Sequence, residues 1–318
     1  MKLKWAIIGV FSCFAMVGCA NNSEVVQENI AVDETDVVTS VEETTIIDRE
    51  GNEIEIPSEV NSIVSLAPGI TETLVDLGIG EKIVGTDSYS YEVEGVEDDT
   101  MVFDILAPDI ETLATLEPDL ILVSGLSQEG SEDPLKALKE LGITITYIPS
   151  SNSFDGIKED ILFLGDITRE SERAEEIVVE FQSEIDNIVE KLENVESEDK
   201  KVYFEISPAP YLYTFGNGVF LQEMIDILHL ENIFSEQESW VPVTEEEIFT
   251  RNPEIIFTNT YLENPVEEIY ERVGWDVLDA VKNEKVYMVD TDTSSRPNEF
   301  VVEALKSMAS SIYPEVFE

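Results

Sequence analysis

The feature that most restricts what this chain can fold into is that its second half repeats the spacing of its first. Asp76-Leu-Gly-Ile-Gly-Glu81-Lys-Ile83 has a counterpart in Asp226-Ile-Leu-His-Leu-Glu231-Asn-Ile233, with the same internal spacing. Glu111 precedes Pro118-Asp119-Leu-Ile121-Leu122 by seven residues, and Glu246 precedes Pro253-Glu254-Ile-Ile256-Phe257 by the same seven. Each pair spells an acidic helix start, a proline stop and a strand of the continuous apolar kind that parallel sheets bury on both faces. A chain built this way is α/β, with two similar βα lobes.

The elements between these landmarks agree. Thr44–Ile47 and Glu53–Ile56 flank a Gly-Asn turn and predict a β-hairpin. Ser62–Leu66 is a short apolar strand, followed by a helix that stops at Gly78. Lys82–Gly85, Asp119–Val123 and Thr144–Ile148 predict further strands, with helices over 109–116 and 133–141. The second half continues with a strand at Val202–Ile206, then Trp275–Val281 as helix and Lys285–Val289 as strand. A last helix runs from about Asn298 to Ser311. Between the halves, residues 154–195 carry Ile177, Val178, Phe181, Ile185, Ile188, Val189 and Leu192 at helical spacing without a proline. This predicts a short helix, a break near Gly165–Thr168, and a long helix from about Ser171 to Leu192. The expected architecture is therefore two lobes, 45–152 and 198–318, joined by a rigid helical connector at 153–197. A ligand cleft lies between them, because clefts form at domain interfaces and beyond the carboxyl ends of parallel strands.

The N-terminus reads as targeting sequence. Lys2 and Lys4 precede an apolar run from Trp5 to Val17, shorter than the ~20 residues a membrane-spanning helix needs. The run ends in Met16-Val17-Gly18-Cys19, which resembles a bacterial lipobox, with 1–18 as signal peptide and Cys19 as the lipidated residue. The alternative is an ordinary secretory signal with an incidental cysteine. Residues 19–44, acidic and without Lys, Arg, Gly or Pro, are expected to form a disordered tether. Cys13 falls in the signal, so the mature body has no disulfide.

Charge narrows the function. The chain has 69 acidic and 18 basic residues, a formal net charge of −51. That excludes nucleic acid, whose phosphates need Lys and Arg, and adsorption to anionic lipid through a basic patch. One histidine, His229, and no body cysteine leave no zinc cage and no Ser-His-Asp triad. Gly78-Ile79-Gly80 and Gly216-Asn217-Gly218 are turns, since neither extends to a phosphate-binding glycine loop. No metal site, resident cofactor or enzymatic activity is expected. Aromatics near the ends of expected strands say more. Tyr89, Tyr91, Phe103, Tyr211, Tyr213, Phe215 and Trp240 sit on expected loops, where core packing explains them poorly. As a set they predict a broad, partly apolar pocket for a large flat ligand.

Val60-Asn-Ser-Ile-Val-Ser-Leu-Ala-Pro-Gly-Ile-Thr-Glu72 followed by Gly78-Ile-Gly-Glu-Lys-Ile-Val-Gly85 resembles the opening of the cobalamin and iron-complex substrate-binding proteins of ABC importers. Glu111–Ser124, Trp240–Ile256, Asn283–Val289 and Arg296-Pro297 resemble later segments of that family. The likeness spans about Thr45 to Phe317. It implies two α/β lobes on a rigid helix, and one surface glutamate per lobe docking on permease arginines. By position these are Glu111 and Glu246; the alternative is that both are helix-start acids favoured by the dipole. The resemblance also implies Tyr89, Phe103, Tyr213 and Trp240 as pocket walls. Where the family often carries Arg-Pro-Gly-Pro-Arg, this chain has Arg296-Pro297-Asn298-Glu299-Phe300, so Arg296 either anchors an anionic ligand or pairs with neighbouring acids.

The implied function is a monomeric, non-enzymatic receptor, lipid-anchored on the outer face of a cell membrane, with a Gram-positive host expected. It would capture a metal chelate and deliver it to a permease and its ATPase. Cobalamin is the first ligand, and a ferric siderophore or haem the second. A chelatase on the same fold, or a surface adhesion or sensing protein, are the readings of other classes.

Overall fold

The computed structural model describes residues 44–49, 51–105, 107–124, 135–195 and 200–317. The signal peptide, Cys19 and the acidic tether lie outside these residues, save Thr44. Thr44–Ile47 (β1) and Glu53–Ile56 (β2) pair antiparallel as the expected hairpin. Arg49 in its turn reaches Asp160 at 2.5 Å, tying the hairpin to the connector.

The first sheet holds Ile63–Leu66 (β3), Ile83–Asp87 (β4), Met101–Phe103 (β5), Leu120–Ser124 (β6) and Thr144–Ile148 (β7). All its pairings are parallel, in the order β5-β4-β3-β6-β7. The central strands β3 and β6 are apolar except for Ser65 and Ser124 and almost wholly buried, as strands covered on both faces must be. Pro68–Asp76 (α1), Ile110–Thr115 (α2) and Lys136–Glu140 (α3) are its helices. Proline at the first position suits α1, whose first amides need no helical partner.

The second sheet is built from Lys201–Glu205 (β8), Glu231–Asn232 (β10), Ile255–Thr258 (β12) and Val286–Met288 (β13). It is also parallel, in the order β10-β8-β12-β13. With β5 set aside, β4-β3-β6-β7 runs in the same order, so the sequence repeat is a repeat of topology. Phe220–Ile227 (α6), Glu245–Arg251 (α7) and Asp279–Lys282 (α9) stand where α1, α2 and α3 stand in the first sheet. Tyr213–Phe215 (β9) and Trp240–Pro242 (β11) form a separate antiparallel ribbon. Pro265–Glu271 (α8), Thr291–Ser295 (α10), Val301–Ile312 (α11) and Pro314–Phe317 (α12) complete this half. Pro314 does not end the chain's helical structure; it opens a further short turn of helix.

The connector is two helices, Phe154–Thr168 (α4) and Ser171–Leu192 (α5). The break expected at Gly165–Thr168 falls later, at Arg169, whose φ of 70° is left-handed. Gly165 has a different task. A Cβ there would collide with the Ala174 side chain, so glycine lets α4 and α5 approach closely. On α5, Ala174, Ile177, Phe181, Ile185, Ile188 and Leu192 are buried, one stripe at helical spacing. That stripe belongs to a continuous apolar cluster that includes Ile63 and Leu120 of the first sheet and Phe204 and Phe257 of the second. The halves therefore share a core through the connector, a construction that resists wide hinge motion.

Candidate functional site

The chain leaves β3 for β4 on one side and returns to β6 on the other, so a crevice opens at the carboxyl ends of these strands. A cavity of about 350 Å³ lies there. Each strand of the first sheet contributes to it from just beyond or at its end: Ala67 and Pro68 after β3, Tyr89 after β4, Ile105 after β5, Ser124 at the end of β6, and Ile148-Pro149-Ser150 at the end of β7. The connector closes one wall with Ile157, Asp160, Ile161 and Leu164 of α4. Among the described residues the second half reaches the cavity only through Tyr261, beyond β12, and through Ser295–Asn298 from the last residue of α10 onward. The cavity opens into a basin of about 850 Å³ that shares Tyr89, Tyr261 and Arg296. The basin alone is near the top of the ~300–1,000 Å³ range usual for small-ligand pockets.

The rim is aromatic and exposed. Tyr89 is 61% and Tyr261 74% accessible, a large apolar surface left in water unless something covers it. The walls beneath are apolar; Ile157, Ile161 and Leu164 are at most 2% accessible.

The polar groups are mostly committed to one another. Arg296 pairs with Glu72 of α1 and with Asp292 of α10, the latter at 2.7 Å. Asn298 donates to the other Glu72 oxygen at 2.5 Å. Burial raises the Glu72 carboxyl above its ordinary range, and Arg296 opposes the rise. Asp160 is likewise raised by burial and held down by Ser151 and Arg49. Thr73 donates to Glu299 at 2.8 Å, but the other Glu299 oxygen is buried and has no partner among the described residues. Burial pushes this carboxyl from 4.5 up to about 7, with Asp76 and Glu72 adding to the rise.

Two of the five expected ligand residues, Tyr89 and Arg296, meet at the cavity. Phe103 does not. It ends β5, is 5% accessible, and packs with Val64, Leu113 and Ile121. Its ring lies over Gly85, where a Cβ would come within 2.8 Å of it. Tyr213 and Trp240 are also elsewhere. They lie on the β9–β11 ribbon instead of loops, and Trp240 stands edge-on to Phe215 and Phe220, with centroids 6.1 and 6.5 Å away. Neither lines the cavity or the basin. Tyr261 and the apolar face of α4 also line the cavity and are not among the expected residues. Tyr261 had a legible signal, since it closely follows a buried strand just as Tyr89 follows β4. The α4 face had none, because its apolar residues read as helix packing. Glu111 and Glu246 are both exposed and are each the second residue of their helix, α2 and α7, in matching places of the two halves.

Residues 63–293 match the periplasmic binding protein family. This chain belongs to that family. Over 318 residues it is 32% identical to the uncharacterized ABC transporter substrate-binding lipoprotein YvrC of Bacillus subtilis, covering 99% of this chain and 98% of the relative. It is 26% identical over 257 residues to the vitamin B12-binding protein of Vibrio cholerae, covering 80% and 90%. A solved structure from Staphylococcus epidermidis, of a possible iron-binding (periplasmic solute-binding) protein, is 32% identical with a TM-score of 0.72 and covers 80% of this chain and 99% of that one. The two-lobed α/β fold is the fold of this periplasmic binding protein family, and the matched segment contains every wall of the cavity except Ser295–Asn298.

Proposed function

We propose that this protein is the substrate-binding component of an ABC importer and that its cargo is a bulky metal chelate, cobalamin first. The observation that carries the reading is the convergence of five strand ends and the α4 face on an apolar cavity rimmed by Tyr89 and Tyr261 and opening into a wide basin. Such a site binds by enclosing an apolar surface and offers exposed rings for a flat macrocycle. The Vibrio cholerae vitamin B12-binding protein supports cobalamin. A ferric siderophore is the second reading, favoured by the Staphylococcus epidermidis likeness. The receptor acts without catalysis, anchored through a lipid on Cys19 at the outer face of a Gram-positive membrane. It docks on its permease through Glu111 and Glu246. Their equivalent places in α2 and α7 support this, since two carboxylates offered to arginines fix orientation as well as contact.

Calorimetric titration of the chain lacking its first 19 residues with cyanocobalamin, haem and several ferric hydroxamates tests the cargo. One ligand binding at about micromolar or tighter, roughly 8 kcal/mol, upholds the chelate reading and names the class. No heat with any of them overturns it.

A further inference from the structure

The described walls of cavity and basin carry six carboxylates, Glu72, Asp76, Glu92, Glu94, Asp160 and Asp292, against one guanidinium, Arg296. From behind the walls, Arg49 pairs with Asp160 and Arg173 with Asp76. Arg296 has no such reserve. Its side chain is 13% exposed and already faces Glu72 on one lobe and Asp292 of the preceding α10. Asn298 holds the second Glu72 oxygen, and one residue further Glu299 accepts from Thr73. These contacts join the first turns of α1 to the segment 296–299, more than 220 residues away in sequence.

We infer that Arg296 is a strut between the lobes and not an anchor for a ligand anion, so that the cleft accepts an uncharged or cationic chelate and rejects an anionic one of the same shape. The inference rests on the chelate-receptor reading. An anionic group could engage Arg296 only by displacing Glu72 or Asp292. A displaced Glu72 would be a partly buried carboxylate without its cation, which is costly. The remaining wall carboxylates would repel the anion as well, with a strength that falls as salt rises. A bare metal ion is not the ligand implied, because among the described residues no three His, Cys, Asp or Glu side chains gather to hold one. The acidic basin acts instead on the net charge of a whole complex, favouring encounter with cations and discriminating by repulsion.

Two charge series on fixed scaffolds test this. One is the ferric complex of desferrioxamine B with its pendant amine free, acetylated or succinylated, which makes it cationic, neutral or anionic around the same iron core. The other is cyanocobalamin beside its derivative with one peripheral amide hydrolysed to a carboxylate. On whichever scaffold binds, the anionic member should bind about tenfold more weakly than the neutral one at low salt. High salt should shrink the gap, and so should Glu92→Gln combined with Glu94→Gln. An anionic member that binds as tightly as its neutral parent, or more tightly, overturns the inference. Hydrogen exchange of the ligand-free protein tests the strut by itself. Arg296→Gln should speed amide exchange in α1 and across 296–303, and Glu72→Gln should do the same to a smaller extent. Unchanged exchange in both variants overturns it. If neither scaffold binds, the chelate reading fails, and the strut is judged by exchange alone.

Discussion

The two halves share a strand order but meet the cleft in different ways. In the first, every strand of the sheet delivers its carboxyl end to the cavity, along with the start of α1. In the second, the chain beyond β8 turns into the β9–β11 ribbon, and among the described residues only Tyr261, α10 and the segment that follows it reach the cavity and the basin. Within the second half two buried carboxylates also differ. In the second half Arg272 grips Glu205 with two hydrogen bonds, of 2.5 and 2.7 Å, pairs with Glu268, and lies over the Trp275 ring at 4.5 Å. Glu299, which lines neither the cavity nor the basin, keeps one buried carboxylate oxygen unpartnered among the described residues. The repeated scaffold supplies the two sheets, and the places where the repeat departs from itself decide which residues of the second half reach the cavity.

This contrast can be broken most forcefully in the cores. Arg272→Ala would strand Glu205, which is fully buried, and should cost about 3–5 kcal/mol in urea unfolding. Phe103→Ala should cost a similar ~3–5 kcal/mol, as expected for emptying a packed aromatic site, while leaving ligand affinity within about twofold. A large loss of affinity without loss of stability would return Phe103 to the binding surface.

The next effect is a dependence on pH. Folding raises the Glu299 carboxyl from 4.5 to about 7 through burial, with Asp76 and Glu72 facing it. The folded state thus binds this proton more tightly than the unfolded state. Its stabilisation is complete below about pH 4.5 and is lost as pH rises through about 7. Glu299→Gln should therefore stabilise the protein by about 2–3 kcal/mol at pH 8 and by little at pH 4.5. Thermal melts across that range measure it, and a variant whose melting falls in parallel with the parent would refute the assignment.

The smallest effect on the isolated protein, and the largest in cells, is expected from Glu111→Gln with Glu246→Gln. Both residues are exposed at helix starts, so stability should change by less than about 0.5 kcal/mol each, with ligand affinity unchanged and uptake lost. Normal uptake would assign these acids to the helix dipole alone.

The repeat, the buried strands and the apolar stripe of α5 were legible because each leaves a local trace. Parallel strands covered on both faces write continuous apolar runs, as at 120–123, and helices write a 3.6-residue period. The cleft was only half legible. Tyr89 follows its strand directly, so the rule about strand ends finds it. Phe103 obeys the same rule on paper, yet β5 is three residues long and its ring turns inward over Gly85. Trp240 is placed by pairing with Phe215, 25 residues earlier, and Arg296 by Glu72, 224 residues earlier. No local pattern encodes such pairings. They follow from the topology once the two sheets are assembled.

The most direct test of a cleft built from the first half is a side-by-side titration of Tyr89→Ala, Tyr261→Ala and Trp240→Ala with the ligand that the parent protein binds. Tyr89→Ala and Tyr261→Ala should each weaken binding about tenfold, roughly 1.4 kcal/mol, while Trp240→Ala stays within about twofold. Loss of binding in Trp240→Ala with both tyrosine variants unaffected would move the site to the β9–β11 ribbon and contradict the account.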